Sequence, residues 1–366
     1  MTGERVYFAF DQEGILTNPG LDFAHVILYR MLPAPLKEQY ADRIANRFDA
    51  YDDARWLYER GERGHNTGTT PLMALFAAAC AGLTDKQLIQ QQQLRLCENP
   101  GVSELVHYVH ENGEPPLIIT SSYPAGALTL AQRYGMPFDN VFSLGYQRGT
   151  AQRDPSKSVE DEVINWRSPL RFLLQKREGL QPFMDSYLDL CERMLGKLEN
   201  GRYVSEGRRQ DLEKLKEEEI ALFNGIGDVM LKLYLKDLLQ RENGIMGSHN
   251  KARVMEARNG NRNWIYLGDG IVDADPLQQA QYGIAVNCTN RYALESAKLD
   301  IATVDMSNAI PVFEDITQGR FTPQRAKKMS KDGFTVFTPQ DIQDNPDYVI
   351  DANRASKNAQ RELVNV

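Results

Sequence analysis

The sequence has few cysteines, and their spacing argues against two classes of site. The 366 residues include four cysteines, and no pair has the Cys-x-x-Cys spacing of zinc sites and redox centres. We therefore expect neither a structural zinc ion nor a disulfide framework. The four positions are Cys80, Cys97, Cys191 and Cys288.

Long apolar runs and an excess of positive charge are also lacking. No stretch of about 18 apolar residues occurs, the length that a membrane-spanning helix needs, and the chain does not open with basic residues followed by an apolar run. These absences predict a cytoplasmic protein without membrane contacts. The net charge of −8 argues against a nucleic-acid partner, because such proteins present a basic surface to phosphates.

Short apolar runs rich in β-type residues alternate with helical patterns along much of the chain. A chain of 366 residues exceeds one small core, so we expect two domains or one elaborated domain. The alternation of strand and helix predicts a parallel α/β sheet. The predicted strands lie within residues 6–10, 115–126, 140–144, 263–277 and 282–287.

Two long helical stretches interrupt this alternation, and we treat them as insertions. Residues 17–100, the first insertion, contain strong helix formers, and residues 147–246, the second insertion, carry apolar residues at three- and four-residue intervals. Residues 321–366 are polar and punctuated by proline, so we expect a tail that wraps the surface or is partly mobile. The remaining α/β core comprises residues 1–16, 101–146 and 247–320.

Chemically useful side chains follow three of the predicted strands, where parallel α/β sheets bind their ligands. Carboxylates from two strands suit a hard cation such as Mg²⁺, while hydroxyl groups and a lysine can hold phosphate oxygens. The residues are Asp11 and Glu13 after the first strand, Thr120, Ser121 and Ser122 after the second, Lys251 near a helix start, and Asp269, Asp273 and Asp275 after the third.

Each of these residues is ordinary when taken alone. An aspartate at a strand end is usually a turn or capping residue, and a single lysine is usually a solvated surface charge. Their order carries the prediction: acids after a strand, a hydroxyl after a strand, a lysine, and again acids after a strand. Chance rarely supplies all four in sequence.

These four features resemble the four motifs of the haloacid dehalogenase (HAD) superfamily, most of whose members are magnesium-dependent phosphatases. The first motif, Asp-x-Asp-Gly after apolar residues, is similar to FAFDQEGIL at 8–16, and the second to LIIT ending at Thr120. The third is a lysine, matched by Lys251, and the fourth, Gly-Asp-Gly-x-x-Asp, is matched by LGDGIVD at 267–273. The resemblance implies an α/β, HAD-like Rossmannoid parallel sheet with helical cap or insert domains.

The resemblance also implies a role for each residue and a Mg²⁺ cofactor. Asp11 would attack phosphorus and form an aspartyl-phosphate. Asp11, Asp269 and the backbone carbonyl of Glu13 would bind Mg²⁺, and Asp273 would either ligate the ion or hold its ligands. The phosphoryl oxygens would be bound by Thr120, Ser121 and Lys251.

Glu13 departs from the first motif, which carries Asp at this position. The residue there protonates the leaving oxygen and later activates water, which needs a heavy-atom distance of roughly 2.6–3.2 Å. The longer Glu13 either performs this chemistry or marks a weak, different or lost activity. The chain is also similar, more loosely, to an uncharacterised branch of the superfamily with an Asp-x-Glu-Gly first motif, in which Glu13 would be a trait of the branch.

The two insertions lie where the superfamily carries caps that close over the active site. The first offers candidate substrate contacts, although a plain polar loop between helices is the alternative interpretation. The second is either a cap or an arm for a homodimer, and Tyr123 either lines the pocket or packs in the core. The candidate contacts are Tyr51, Asp52, Asp53, Arg55, His65 and the loop 64–70.

The expected function is a magnesium-dependent phosphatase whose substrate is a small phosphorylated metabolite. Two alternatives stay open at this point. One is a phosphotransferase of the same superfamily, and the other is a catalytically silent binding or assembly protein with residues 147–246 as its interaction element.

Overall fold

An eight-stranded sheet forms the centre of the part of the chain that the structure, a computed structural model, describes. The described residues are 6–18, 23–59, 68–144, 146–147, 158–165, 168–198, 206–240, 246–259 and 263–364. The strands are β1 (Tyr7–Phe10), β2 (Leu117–Ile119), β3 (Val141–Ser143), β4 (Tyr146–Gln147), β5 (Trp264–Gly268), β6 (Tyr282–Val286), β7 (Leu299–Thr303) and β8 (Phe334–Phe337). Their order across the sheet is β4-β3-β2-β1-β5-β6-β7-β8.

The sheet is parallel except at its two edges, where β4 and β8 run antiparallel to their neighbours. The central strands β1 and β5 are buried almost throughout, as expected for parallel strands covered on both faces. Phe10 of β1 pairs with Ile118 of β2 and Leu267 of β5. The three strands therefore end at one edge and at one level, and the predicted α/β parallel sheet is confirmed.

Helices of the core cover both faces of the sheet. In chain order with the insertions, the helices are α1 (Phe23–His25), α2 (Ala34–Asp42), α3 (Asp49–Glu59), α4 (Thr70–Cys80), α5 (Asp85–Arg95), α6 (Val102–Asn112), α7 (Pro124–Arg133), α8 (Val159–Asn165), α9 (Pro169–Gln175), α10 (Arg177–Leu195), α11 (Glu206–Gly225), α12 (Val229–Gln240), α13 (Ser248–Asn259), α14 (Ala274–Gln279), α15 (Arg291–Ser296), α16 (Ile310–Thr317), α17 (Pro323–Lys327), α18 (Pro339–Asp344) and α19 (Pro346–Val364). Of these, none combines the length and the apolar surface needed to span a bilayer.

The described parts of the two insertions are helical and pack against each other. Within the first, α4 is almost wholly apolar and buried on all sides, as expected for a helix enclosed by others. Polar contacts join the two insertions at their rim: Arg43 Nε lies 2.7 Å from Glu192 Oε1, and Tyr40 donates to Asp185 Oδ1 at 2.8 Å. The insertions thus form one helical layer beside the sheet.

The second insertion exposes apolar side chains on its last helix. Val229, Met230 and Leu233 of α12 are among the exposed large apolar residues of the described chain. A homodimer formed through this insertion stays a prediction.

The C-terminal segment differs from the surface tail predicted for residues 321–366. Strand β8 closes one edge of the sheet by antiparallel pairing with β7, and its Phe334 and Phe337 are buried. Helix α19 follows, with Asn353 and Gln360 fully buried. The prediction failed because polar residues dominate the segment, while its few apolar side chains and buried amides attach it to the core.

Candidate active site

Asp11 lies at the carboxyl end of β1, directly after the last buried residue of the strand. Its backbone N–H donates to the Leu267 carbonyl of β5 at 2.9 Å, so the sheet pairing extends to this residue and fixes it. The chain then turns at Gly14, whose φ of +80° favours glycine. A Cβ at position 14 would collide with the carboxylate of Asp269, so a side chain there is excluded by the close approach of the two strand ends.

Three acids that the sequence placed after β1 and β5 converge in the structure. Asp11, Asp269 and Asp273 each offer a carboxylate oxygen, and these atoms all lie within 4.8 Å of one another. A separation of this size allows one cation to reach more than one of them. Asp275, the remaining acid of the predicted cluster, lies in α14, where its backbone N–H donates to Ser248 Oγ at 2.8 Å.

Lys251 bridges two of these acids. It lies in the first turn of α13, is fully buried, and places Nζ 2.8 Å from Asp11 Oδ2 and 2.7 Å from Asp273 Oδ1. Burial lowers the pKa of Lys251, but Asp11 and Asp273 raise this pKa by more, so that it lies above its ordinary value. The charged form of Lys251 is therefore favoured, and its charge offsets the mutual repulsion of the acids.

The surroundings of Asp11 have opposing effects on its pKa. Burial and the neighbouring Asp273 raise the pKa of Asp11 well above its ordinary range, and Lys251 opposes this shift. One oxygen of Asp11 accepts from the Gln12 N–H at 2.7 Å, and the other faces Lys251. Ionisation of Asp11 thus depends on a nearby positive charge, which is a property of functional carboxylates.

Asp273 is occupied on both oxygens by donors of the protein. Oδ1 accepts from Tyr266 Oη at 2.6 Å as well as from Lys251. Oδ2 accepts from the N–H groups of Asp269 and Gly270 at 3.0 and 3.1 Å. Of the two roles left open for Asp273, holding the metal ligands therefore fits its contacts better than ligating an ion.

Asp269 differs from Asp273 in having one oxygen without a donor in the described chain. Its Oδ2 is held by Lys357 Nζ at 2.7 Å, and no described residue donates to Oδ1. The side chain is 13% exposed, so it faces both the acid cluster and the cavity described below.

Thr120 and Ser121 follow β2 at the same edge of the sheet. Thr120 is fully buried, and its Oγ1 accepts from the Ser122 N–H at 3.1 Å. The Thr120 hydroxyl group can therefore donate its hydrogen to another acceptor. Ser121 lines the cavity beside Asp269.

A cavity of about 230 Å³ opens over these strand ends, between the core and the first insertion. The core contributes Glu13, Ser121 and Asp269 to its lining, and the first insertion contributes Asp52 and Asp53. The described part of the first insertion therefore covers the predicted site.

Glu13 connects the site to the first insertion. Its Oε1 accepts from the N–H of Phe23 at 2.9 Å, where α1 begins. A carboxylate at a helix N-terminus satisfies a backbone donor that has no partner within the helix. The longer side chain of glutamate thus has a structural use that the sequence did not indicate.

Asp52 attaches residues 68 and 69, which precede α4, to its own helix α3. It accepts from the N–H groups of Gly68 and Thr69 at 2.7 and 3.0 Å and from Thr69 Oγ1 at 2.5 Å. Gly68 has a φ of +96°, and a Cβ added there would lie 3.3 Å from the Cβ of Ser121. Gly68 and the second-motif segment are therefore in direct contact.

Two predicted substrate contacts lie elsewhere in the structure. Tyr51 and Arg55 bind each other through Arg55 Nη1 and the Tyr51 hydroxyl at 2.5 Å. Arg55 also pairs with Glu59 and Glu219, the latter at 2.8 Å, because the helix face that carries it packs on the second insertion. His65 lies outside the described residues.

Tyr123 is a core residue and not a cavity residue. It is fully buried, donates to Asp85 Oδ1 at 2.6 Å and stacks on Phe23 with ring centroids 5.2 Å apart. This settles the alternative that the sequence left open.

Several residues of the site were not predicted from the sequence. Tyr266 stands two residues before Gly268 in a strand that already looked apolar, so its hydroxyl gave no signal. His25 and Asp49 of the first insertion line the cavity, and Lys357 arrives from the segment expected to be a tail. Only the position of Tyr266, on the strand that precedes the fourth motif, could have drawn attention to it.

Comparison with known proteins supports the fold alone. No family model matches the chain, and no curated protein matches it. The gene product AF1437 from Archaeoglobus fulgidus is similar in structure, with a TM-score of 0.62 and 16% sequence identity over 99% of each chain. The similarity extends over the insertions as well as the sheet.

Proposed function

We propose that the protein is a Mg²⁺-dependent phosphatase of the haloacid dehalogenase type, acting through an aspartyl-phosphate on Asp11. The observation that carries this proposal is the meeting of Asp11, Asp269 and Asp273 within 4.8 Å, bridged by the buried Lys251. Asp11 follows β1, Lys251 lies in α13, and Asp269 and Asp273 follow β5, which is the chain order of the sequence motifs.

The donor set fits a divalent cation. Oxygen ligands are those that Mg²⁺ prefers, and the described site supplies them from Asp11 and from Oδ1 of Asp269. With all groups ionised, three acids and two lysines, Lys251 and Lys357, leave one net negative charge for a cation to neutralise. When bound, Mg²⁺ would stabilise negative charge on the carboxylate nucleophile and the phosphoryl group.

The remaining steps use side chains of this chain. Asp11 attacks phosphorus, and the aspartyl-phosphate forms as the bond from phosphorus to the leaving oxygen breaks. Lys251, 2.8 Å from Asp11 Oδ2, favours the ionised carboxylate that this attack needs. The hydroxyl of Thr120 and the ammonium of Lys251 hold phosphoryl oxygens, as preorganised donors do in other transfer reactions. Asp273, fixed by Tyr266, keeps Lys251 in place.

Glu13 is the proposed general acid and base. It lines the cavity, where a leaving group would lie, and its bond to the Phe23 N–H keeps the carboxylate near the junction with the first insertion. Because this hydrogen bond joins Glu13 to the first insertion, closure of the insertion also positions the Glu13 carboxylate. Proton transfer is therefore favoured only in the closed site.

The size of the cavity limits the substrate. About 230 Å³ is below the roughly 300–1,000 Å³ of sites for drug-sized ligands. We therefore propose a small phosphorylated metabolite, with its phosphoryl group at Asp11 and its leaving group against Asp52, Asp53 and His25.

Phosphate release from p-nitrophenyl phosphate, acetyl phosphate and a phosphometabolite panel tests the proposal. We expect release that needs Mg²⁺ and is abolished in Asp11→Asn, while Asp332→Asn, at an exposed acid far along the chain, keeps wild-type activity. Equal and negligible release by wild type and Asp11→Asn over the whole panel would instead favour the silent binding protein. Phosphate found on an added alcohol instead of in solution would indicate a phosphotransferase.

A further inference from the structure

Three polar side chains of the C-terminal helix α19 lie on one helical face and point into the protein. Asn353, Lys357 and Gln360 are spaced four and three residues apart, which places them on the same side of a helix. Asn353 and Gln360 are fully buried, and the Lys357 side chain is only 17% exposed. Long polar side chains are rarely buried in this way without partners.

The two amides, one on each side of Lys357 along α19, attach the helix to the segment that follows β6. Asn353 Nδ2 donates to the Cys288 carbonyl oxygen at 2.8 Å, just after β6. Gln360 Oε1 accepts from Asn287 Nδ2 at 2.9 Å. The helix is therefore held at two points, and Lys357 between them has little freedom to move.

The ammonium group of Lys357 contacts the acid cluster. Its Nζ lies 2.7 Å from Oδ2 of Asp269, the acid that retains an oxygen without a donor in the described chain. A second lysine therefore contacts the acid cluster, in addition to Lys251.

We propose that Lys357 is a built-in counter-ion that competes with the divalent cation for Asp269. This inference rests on the proposed function. A metal ion bound to Asp269 would stand close to the ammonium of Lys357, and like charges at short range in a partly buried site repel strongly. A metal ion on Oδ1 of Asp269 therefore weakens the ion pair that Lys357 makes with Oδ2, and through Lys357 the C-terminal helix lowers the affinity of the site for the metal.

The same contact allows an opposite role, and one experiment separates the two. If Lys357 served to orient Asp269 for the metal, its removal would weaken metal binding. If it competes with the metal, its removal strengthens metal binding. Calorimetric titration with Mn²⁺ at fixed ionic strength measures this directly and does not depend on turnover.

We expect Lys357→Met to lower the dissociation constant for Mn²⁺ by at least about fivefold, within the usual range of coupling between sites. Lys357→Arg, which keeps the charge, and Lys328→Met, which removes an exposed lysine, should bind as wild type does. Lys357→Gln provides a second neutral variant that can still donate to Asp269, and circular dichroism establishes that each variant is folded.

Unchanged or weaker Mn²⁺ binding by both neutral variants overturns the inference while leaving the metal site intact. Absence of saturable binding in wild type, or binding that Asp11→Asn leaves unchanged, overturns the proposed metal site and this inference with it.

Discussion

The ammonium group of Lys251 lies 2.8 Å from Oδ2 of Asp11, and both side chains are buried at the carboxyl end of the sheet. The lysine enters from α13, and the acid ends β1. A buried charge is strongly unfavourable without a partner, so each group makes the other tolerable. This ion pair therefore stabilises both buried charges at the site.

Lys251→Met should destabilise the fold. The variant leaves Asp11 and Asp273 buried without their shared cation, and loss of one partner of a buried ion pair costs about 3–5 kcal/mol. Urea unfolding at neutral pH measures the loss. Adding Asp11→Asn should recover part of the stability, because one of the two stranded charges is removed. Equal stability of Lys251→Met and wild type would contradict the proposed pairing.

Glu13→Gln should keep the hydrogen bond to Phe23 while removing the proton transfer proposed for Glu13. The amide oxygen still accepts from the Phe23 N–H, so the free energy of unfolding should change by less than about 0.5 kcal/mol. Proton transfer is lost, and kcat should fall by about 10²–10⁴-fold. Steady-state kinetics and urea unfolding provide the two readouts, and near-normal turnover would remove Glu13 from the mechanism.

Glu13→Asp is the matched shorter variant. Its carboxylate cannot both reach Phe23 and keep its position over the cavity, so we expect a loss of about 1 kcal/mol in unfolding free energy from the broken hydrogen bond. Turnover that rises above wild type would mean that glutamate is a compromise here, whereas a loss would mean that the site is built around its length.

Asp52→Ala should release residues 68 and 69, which Asp52 attaches to α3. Three hydrogen bonds to one carboxylate are lost, and the exposed N–H groups of Gly68 and Thr69 should exchange hydrogen faster. We expect a destabilisation of about 1–3 kcal/mol and a raised KM. Asp42→Ala, at an exposed acid of α2, is the control for helix effects. Unchanged exchange at positions 68 and 69 would be inconsistent with the contacts of Asp52.

Asp300→Asn should change how stability depends on pH. Asp300 of β7 is fully buried, and burial raises its pKa well above the ordinary 3.8, only partly offset by a hydrogen bond from Asn353. The folded protein therefore holds this proton more tightly than the unfolded chain does. Asp300 therefore stabilises the folded protein at low pH. This contribution to the free energy of unfolding is lost as pH rises through the folded-state pKa of Asp300.

The asparagine variant lacks that titration, so it should gain stability relative to wild type as pH rises from 4 towards neutrality. We expect this gain to grow steadily with pH, measured by thermal or urea unfolding at several pH values. A difference between the two proteins that stays constant with pH would show that Asp300 does not titrate in this way.

The sheet and the acid cluster could be predicted because their signals are local. An apolar run followed by Asp11, and another followed by Asp269, indicate strand ends, and parallel strands bring such ends to one edge. Thr120 and Lys251 could be assigned to the site only from their order along the chain, because each residue alone is common.

The contributions of the insertions and of the C-terminus could not be predicted in this way. Arg55 and Asp52 lie on the same helix three residues apart, and only the packing of the second insertion decides that Arg55 faces Glu219 while Asp52 faces the cavity. Lys357 reaches Asp269 through buried amides in a segment whose average composition is polar. Such contacts depend on tertiary packing, which no local pattern records.

A crystal structure of the protein with Mn²⁺ and beryllofluoride, solved with anomalous data at the manganese edge, tests the central claim most directly. We predict one manganese peak between Asp11 and Asp269 and a beryllofluoride group bonded to an oxygen of Asp11. A manganese peak elsewhere, or an Asp11 carboxylate that carries no adduct and still pairs only with Lys251, would contradict it.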